Sequence, residues 1–203
     1  MADPLTLLNL MAAKLCHDIA TPLGALGLGL EMLSEEGTDK ETRDLLLTAS
    51  ETAKLRLRLY RAFLSQGGNS PTFAETKDIL SDLCRNSGIE LVWEIKAPML
   101  PDGLFCKLLL GGALIMLEAL IKGGHLTIHI KPSQAGFEWM LAAEGPMAQF
   151  RPGYVDVLKE NQPLERQTSR TILPFYVQLL ASQDQKKIDC EQENPHKLYL
   201  AFC

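Results

Sequence analysis

The chain has 203 residues with a formal net charge of −5, and 46% of them are hydrophobic and 22% charged. This length provides enough apolar material for one large domain or two small ones, whereas an acidic chain without a basic block is poorly suited to bind nucleic acid or an anionic membrane. The five cysteines are scattered and form no CxxC pair, which argues against a disulfide framework or a zinc site and favours the reducing cytoplasm.

The first third of the chain predicts two helices and a linker. Residues 5–35 are rich in leucine, alanine and methionine and contain no strong helix breaker except Pro22. After the short turn "EGTDKE", Thr38 or Asp39 is suited to cap a second helix, which continues through "RDLLLTASETAKLRLRLYRAFLSQ". The stretch "QGGNSP" at 66–71 combines two glycines, a polar pair and a proline, and it therefore indicates a linker.

Beyond the linker, helical patterns and alternating patterns follow each other. A capping box of Thr72 and Glu75 begins a helix that ends near Gly88. The remaining segments are a strand "IELVWEI", a turn "KAPMLPDG" (96–103), an apolar helix at 104–121, a strand hairpin "HLTIHIK" and "GFEWMLAA", a short helix "YVDVLKE", a longer helix "SRTILPFYVQLLASQ" and two final strands "KKIDCEQ" and "HKLYLAFC". We therefore expect an α+β fold, with a helical hairpin at 1–66 and a two-layer α/β domain at 72–203.

The first helix carries more apolar surface than a single partner helix can cover. Its large apolar residues lie on more than one side of the helix: Leu7, Leu8, Leu10, Leu15, Ile19, Leu23, Leu26, Leu30 and Leu33. A second copy of the chain is the simplest partner for the side that stays uncovered. We therefore expect a homodimer in which two hairpins form a four-helix bundle.

One segment of the first helix, "LCHDIATPL", carries a histidine about one turn before a proline. Helical spacing places Leu15 and Ile19 on the core side and directs His17 away from them, toward solvent. Two interpretations are open: His17 is an ordinary surface histidine, or it is a nucleophile, because a neutral imidazole is nucleophilic near pH 7. Pro22 removes one helical hydrogen bond and strains the preceding turn, and this kink is either retained for geometry or simply tolerated.

The residues around His17 resemble a known signalling motif. The segment "HDIATPL" is similar to the H-box of dimeric histidine kinases, in which a histidine is followed by acidic, apolar and basic residues and then by Thr and Pro, except that Ala20 replaces the basic residue. The wider stretch "AAKLCHDIATPLGALGLGLEML", together with "RLYRAFLSQGG" on the second helix, more closely resembles the ChpT-type histidine phosphotransferases of bacterial phosphorelays. The resemblance implies that residues 72–203 form a histidine-kinase-ATPase-like domain.

The residues with which such a domain binds ATP are missing from this sequence. The long helix "LLLGGALIMLEALIKGG" contains no asparagine to bind magnesium, and the loop "AAEGPMA" keeps Gly145 and Pro146 but has Ala143 in place of the aspartate that recognises adenine. No glycine-rich lid follows this loop. The resemblance therefore implies a degenerate domain that is retained as a scaffold or docking surface and uses no cofactor of its own.

As a phosphotransferase, the chain is expected to accept a phosphoryl group on His17 from the phospho-aspartate of one receiver domain and to pass it to another. The implied partners are the receiver domains of a hybrid histidine kinase and of response regulators, which bring their own Mg²⁺. The resemblance also assigns Asp18 the task of orienting the histidine ring. Helix geometry instead favours Thr21 and Lys14, because adjacent side chains on a helix do not face each other, and Lys14 is suited to steady the phosphoryl oxygens.

The surroundings of His17 also predict where a receiver docks. Ala20 and Gly24 leave room for the backbone of another protein, and Leu28 is apolar where a solvated face is usually polar. Tyr60 and Phe63 on the second helix are further candidates for this contact. Two alternative functions stay open: an ATP-dependent sensor-type histidine kinase with a divergent nucleotide site, and a non-catalytic dimeric adaptor in which the histidine is incidental.

Two other groups of polar residues have simpler explanations. His125 and His129 lie on one face of a predicted strand about 13 Å apart, which is too far for them to share a metal ion. The second helix carries a basic cluster that includes Arg56, Arg58 and Arg61. This cluster is either a solvated face or a contact for the acidic rim of a receiver.

Overall fold

The computed structural model describes residues 4–36, 39–96, 103–133, 136–160 and 162–203. Its helices are α1 (Pro4–Glu36), α2 (Lys40–Leu64), α3 (Phe73–Asn86), α4 (Leu104–Ala119), α5 (Tyr154–Lys159) and α6 (Ile172–Gln183). Its strands are β1 (Ile89–Ile95), β2 (Gly124–Ser133), β3 (Gly136–Glu144), β4 (Ile188–Asn194) and β5 (Lys197–Phe202). The mixed α+β architecture and each predicted helix and strand are confirmed, while the predicted turn at 96–103 lies mostly outside the described residues.

The first two helices form the predicted hairpin. α1 runs for 33 residues and contains Pro22 without interruption. Asp39 caps α2, because its side chain accepts a hydrogen bond from the backbone N–H of Thr42 at 2.6 Å, whereas Thr38, the other predicted cap, lies outside the described residues. Within the described ranges, no helix combines the length and the apolar composition needed to cross a lipid bilayer.

The five strands form one mixed sheet in the order β1-β2-β3-β5-β4. β1 and β2 are parallel and the other neighbouring pairs are antiparallel, so the predicted hairpin of β2 and β3 is confirmed. Along β2, Leu126, Ile128 and Ile130 are buried and alternate with more exposed residues. One face of the sheet therefore packs against the helices, as the period of two in strand side chains requires.

A continuous apolar core joins the hairpin to the α/β layer. α4 is buried on nearly all sides, and a Cβ atom added at its Gly111 would lie 2.8 Å from Phe63 of α2 and 2.5 Å from Val177 of α6. Met11 of α1 belongs to the same buried cluster as the inner residues of the sheet. Because such interiors are close-packed, this shared core holds the hairpin against the α/β layer.

Gly111→Ala should lower the free energy of unfolding by about 1–3 kcal/mol, because the added methyl group overpacks the junction of α2, α4 and α6. Gly24→Ala is the matched control, since this helical glycine has open space around it and the same change should raise stability by up to about 1 kcal/mol through helix propensity. Urea unfolding of the two variants measures both effects. A Gly111→Ala variant as stable as Gly24→Ala would contradict the close packing at this junction.

Candidate functional site

His17 lies on the exposed side of α1, as the helical spacing predicts. Its side chain is 81% exposed, and its Nδ1 lies 3.2 Å from Oδ1 of Asp18. The expectation that these adjacent side chains do not meet is therefore wrong, because their rotamers bring the ring and the carboxylate together across the helix surface. Thr21 Oγ1 donates instead to the backbone carbonyl of His17 at 3.4 Å, so the structure places this hydroxyl on the helix backbone and not on the ring.

The Asp18 carboxylate accepts several further hydrogen bonds. Lys14 Nζ donates to its Oδ1 at 3.0 Å and to its Oδ2 at 2.9 Å, and the Tyr60 hydroxyl also donates to Oδ2. Burial raises the pKa of Asp18. The hydrogen bonds from Tyr60, Lys14 and His17, together with the charge of Lys14, outweigh burial and hold that pKa below its ordinary value of 3.8. Asp18 is therefore ionised at neutral pH and acts only as a hydrogen-bond acceptor.

The ionised carboxylate determines which ring nitrogen of His17 carries the proton. Because Asp18 only accepts, Nδ1 must carry a hydrogen for the 3.2 Å contact to be a hydrogen bond. Nε2 then keeps its lone pair on the side of the ring away from the carboxylate. An exposed imidazole held in this tautomer is a nucleophile that is open to an electrophile arriving from solvent.

Lys14 is buried between two carboxylates, which corrects the expectation that it contacts the oxygens of a phosphoryl group on His17. Besides its two bonds to Asp18, its Nζ donates to Oε1 of Glu118 on α4 at 2.9 Å. The positive charge is therefore already neutralised inside the protein. Through Glu118, Lys14 connects the helical hairpin to the α/β layer.

Three residues of the α/β layer complete this cluster, and none of them was predicted from the sequence. Oε2 of Glu118 accepts a hydrogen bond from the Tyr154 hydroxyl at 2.5 Å and lies 3.3 Å from Nε of Arg151. Burial and the adjacent Glu118 raise the pKa of Tyr154, so the hydroxyl stays protonated and donates. The sequence feature that could have indicated this cluster is Glu118 itself, because an acid within a nearly all-apolar helix needs polar partners when it is buried.

The predicted docking residues on α1 are exposed. Ala20, Gly24 and Leu28 lie three, seven and eleven residues after His17, and this spacing keeps them on its side of the helix. Leu28 is 55% exposed, and no other group lies within 4 Å of the position that a Cβ of Gly24 would occupy. This face of α1 is therefore open to another molecule, and its contact with a receiver stays a prediction.

The two docking residues predicted on α2 are buried instead. The hydroxyl of Tyr60 bonds to Asp18, and Phe63 is fully buried, with its ring packed edge-on against Tyr176 at a centroid distance of 5.2 Å. Tyr60 therefore supports the site from inside, and Phe63 belongs to the core. The prediction that they contact a docked receiver is wrong, because α2 turns these positions toward α1 and α4.

A second exposed strip on the hairpin is apolar. Leu23 and Leu30 are 52% and 60% exposed, and their spacing of seven residues places them on one face of α1. That face lies about 120° around the helix from His17. Among the described residues of the hairpin, the large exposed apolar side chains outside the His17 face are those of Leu5, Leu8, Leu23, Leu30, Leu47 and Leu57.

The histidines of β2 lie against carboxylates of β1 at the surface. His125 Nδ1 lies 2.9 Å from Glu90, and His129 Nδ1 lies 2.9 Å from Glu94, each pair joining neighbouring positions of β1 and β2. The part of the chain that the structure describes contains no group of three or more His, Cys, Asp or Glu side chains arranged to hold a metal ion.

Comparison with known proteins identifies relatives along most of the chain. A family model described as the histidine phosphotransferase C-terminal domain matches residues 73–196. The protein phosphotransferase ChpT of Brucella abortus (strain 2308) is 29% identical over 182 residues, which cover 88% of this chain and 87% of the relative. A solved bacterial phosphotransferase is 26% identical with a TM-score of 0.88, covering 100% of this chain and 98% of that one. The histidine kinase ThkA, solved in complex with the response regulator protein TrrA, shares the fold at 14% identity and a TM-score of 0.55, covering 98% of this chain and 61% of that one.

Tyr60→Phe should raise the pKa of Asp18 toward 3.8, because a hydroxyl that stabilises the ionised form is lost. At pH 7 the variant should be less stable than the wild type by about 1–3 kcal/mol. A carboxyl group whose pKa is lower in the folded than in the unfolded state stabilises the fold at any pH above its unfolded-state pKa, and this stabilisation is lost as the pH falls through its folded-state pKa. The difference in stability between the wild type and Tyr60→Phe should therefore narrow below about pH 4. NMR titration of the carboxyl group and urea unfolding at both pH values measure these changes.

Tyr176→Phe provides the matched control, because this tyrosine of α6 is half-buried in the same core but is not bonded to Asp18. It should leave the pKa of Asp18 unchanged. An equal pKa of Asp18 in the wild type and in Tyr60→Phe would show that the tyrosine does not support the carboxylate.

Proposed function

Because the chain belongs to the histidine phosphotransferase family, we propose that His17 is the residue through which it passes phosphoryl groups between receiver domains. The observation that carries the proposal is the exposed ring of His17, whose Nδ1 is engaged by Asp18 while Nε2 is left open. The relatives support it, since one is named a protein phosphotransferase and ThkA was solved with a response regulator protein.

In the proposed transfer, the Nε2 lone pair of His17 attacks the phosphorus atom of a receiver's phospho-aspartate. A P–N bond forms as the P–O bond to that aspartate breaks, and the receiver recovers its carboxylate. The ring becomes positively charged with Nδ1 still protonated, and the adjacent Asp18 carboxylate stabilises this charge. Positioning and charge neutralisation dominate phosphoryl transfer, and the Mg²⁺ of the receiver neutralises the phosphoryl oxygens. The reverse steps, with a second receiver, pass the group on.

ATP takes no part in the proposed reaction. Helix α4 carries no asparagine to hold Mg²⁺, and its acid, Glu118, is already bonded by Lys14 and Tyr154. Ala143, which stands where the family resemblance places an adenine-recognising aspartate, is buried in β3. In the segment where a kinase has its flexible lid, Tyr154 and Leu158 are buried in the core. Each of these observations supports a domain that acts as a scaffold.

The exposed leucines support a dimer built through the hairpin. Exposed apolar patches mark interaction surfaces, and Leu23 and Leu30 are exposed on one face of α1. Two hairpins packed through this strip make a four-helix bundle, with each His17 about 120° away from the interface. In this arrangement residues 1–66 serve dimerisation and phosphotransfer, and residues 72–203 form the degenerate ATPase-like domain.

His17→Ala should abolish the uptake of phosphate from a phosphorylated receiver domain. The free energy of unfolding should change by less than about 0.5 kcal/mol, because the side chain is exposed. His125→Ala, which removes another exposed histidine, should retain full uptake. The label should be lost in acid and kept in base, as expected of phosphohistidine. Labelling of His17→Ala at the wild-type rate would contradict the proposal.

Titration of the chain with Mg-ATP in a calorimeter should give no saturable heat at millimolar nucleotide, because α4 has no asparagine to hold Mg²⁺ and Ala143 replaces the aspartate that recognises adenine. Incubation with ATP labelled on its γ-phosphate should leave the chain unlabelled. A micromolar dissociation constant together with labelling of His17 would favour the ATP-dependent kinase instead. Absence of labelling from both ATP and receivers would favour the non-catalytic adaptor.

Leu23→Glu combined with Leu30→Glu should convert a dimer into monomers, because the charges replace apolar contact across the proposed interface. Leu28→Glu is the matched change on the His17 face, and it should keep the dimer but slow phosphotransfer when the receiver is limiting. Light scattering and transfer kinetics separate the two effects. A wild-type chain that is monomeric at micromolar concentration would contradict the four-helix bundle.

A further inference from the structure

The ammonium group of Lys14 joins two carboxylates that come from different layers of the protein. Its Nζ lies 3.0 and 2.9 Å from the two oxygens of Asp18 and 2.9 Å from Oε1 of Glu118. An ammonium group has three protons to donate, and these three contacts use them all. The position of the Lys14 ammonium group beside Asp18 therefore depends both on α1, which carries the lysine, and on Glu118 near the end of α4.

Glu118 is itself fixed from two further sides. The buried Tyr154 donates to its Oε2 at 2.5 Å, and Nε of Arg151 lies 3.3 Å from the same oxygen. Two cations, Lys14 and Arg151, thus balance two carboxylates, Asp18 and Glu118. An acid enclosed in this way keeps a defined position, because moving it would leave a buried charge without its partners.

We propose that Glu118 is a positioning residue for phosphotransfer: it holds Lys14 against Asp18, so that Asp18 keeps the ring of His17 in the orientation and tautomer that present Nε2. This inference rests on the proposed function of His17. The contact from Nδ1 to Asp18 measures 3.2 Å, at the long end of the range for a hydrogen bond, so a small rotation of the carboxylate breaks it. Misplacing a reacting group by about 1 Å is enough to slow a reaction roughly a hundredfold.

A purely structural role for Glu118 makes a different prediction. If the acid only ties the hairpin to the α/β layer, its loss lowers the melting temperature and leaves the ring of His17 as it was in the remaining folded protein. If it positions Asp18, its loss changes the tautomer of His17 in the folded state. The tautomer ratio therefore separates positioning from stability.

The test uses the full chain labelled with nitrogen-15 histidine, in wild-type form and as Glu118→Gln. NMR reports the tautomer ratio of His17, whose signals are assigned by their loss in His17→Ala. Phosphoramidate, a small phosphodonor that needs no docking surface, reports the rate of phosphorylation on this ring. We expect Glu118→Gln to shift the ratio away from the Nδ1–H tautomer and to slow phosphorylation by roughly ten- to a hundredfold.

Two further variants complete the experiment. Asp156→Asn removes an exposed acid of α5, and both readouts should stay at their wild-type values. Tyr154→Phe keeps the charge of Glu118 but removes one of its hydrogen-bond donors. It should therefore shift the tautomer ratio and the phosphorylation rate in the same direction as Glu118→Gln. If Glu118→Gln does not fold, Tyr154→Phe serves as the test in its place.

If folded Glu118→Gln keeps the wild-type tautomer ratio of His17 and the wild-type rate of phosphorylation, the inference is overturned. If only Tyr154→Phe folds, the same result in that variant overturns it. Failure of the wild-type chain to take up phosphate on His17 from a phosphorylated receiver domain would instead reject the proposed function. The two failures are therefore distinguishable.

Discussion

The partly buried carboxylate of Asp18 is the group on which the rest of the site depends. A carboxylate in that position is stable only while donors satisfy it, and the donors are Lys14, Tyr60 and the ring of His17. They come from both helices of the hairpin, and the lysine reaches on to α4. The bonds of one acid therefore link the orientation of the histidine to the contact of α1 with α2 and to the attachment of the hairpin to the α/β layer.

The packing of α1 explains how an exposed histidine is nevertheless held in place. One side of the helix is buried through residues such as Met11, a second carries the exposed leucines Leu23 and Leu30, and the third carries His17 and Leu28. The ring of His17 thus stands on a long helix, and its contact with Asp18 is made at Nδ1, the nitrogen that takes no part in the proposed transfer. Such an arrangement leaves Nε2 free while limiting the rotation of the ring, which is the condition for rapid transfer to an incoming group.

Periodicity was sufficient to predict the helices and strands, and helical spacing was sufficient to predict that His17 is exposed. Helix geometry did not predict the contact between His17 and Asp18, because this contact depends on side-chain rotamers rather than on Cβ spacing. Tyr60 and Phe63 are candidates for the receiver contact on sequence grounds, because the apolar pattern of α2 does not say which of its residues meet the core. Glu118 lies 104 residues from its lysine partner, and tertiary packing, which no local pattern encodes, determines such a contact.

The claim that Asp18 holds Nδ1 and leaves Nε2 to react is tested most directly by locating the phosphoryl group on the ring of His17. The chain is labelled with nitrogen-15 histidine, incubated with a phosphorylated receiver domain and examined by NMR for the ring nitrogen that is coupled to phosphorus. We expect that nitrogen to be Nε2 of His17. A phosphoryl group on Nδ1, or on any other histidine of the chain, would contradict the mechanism.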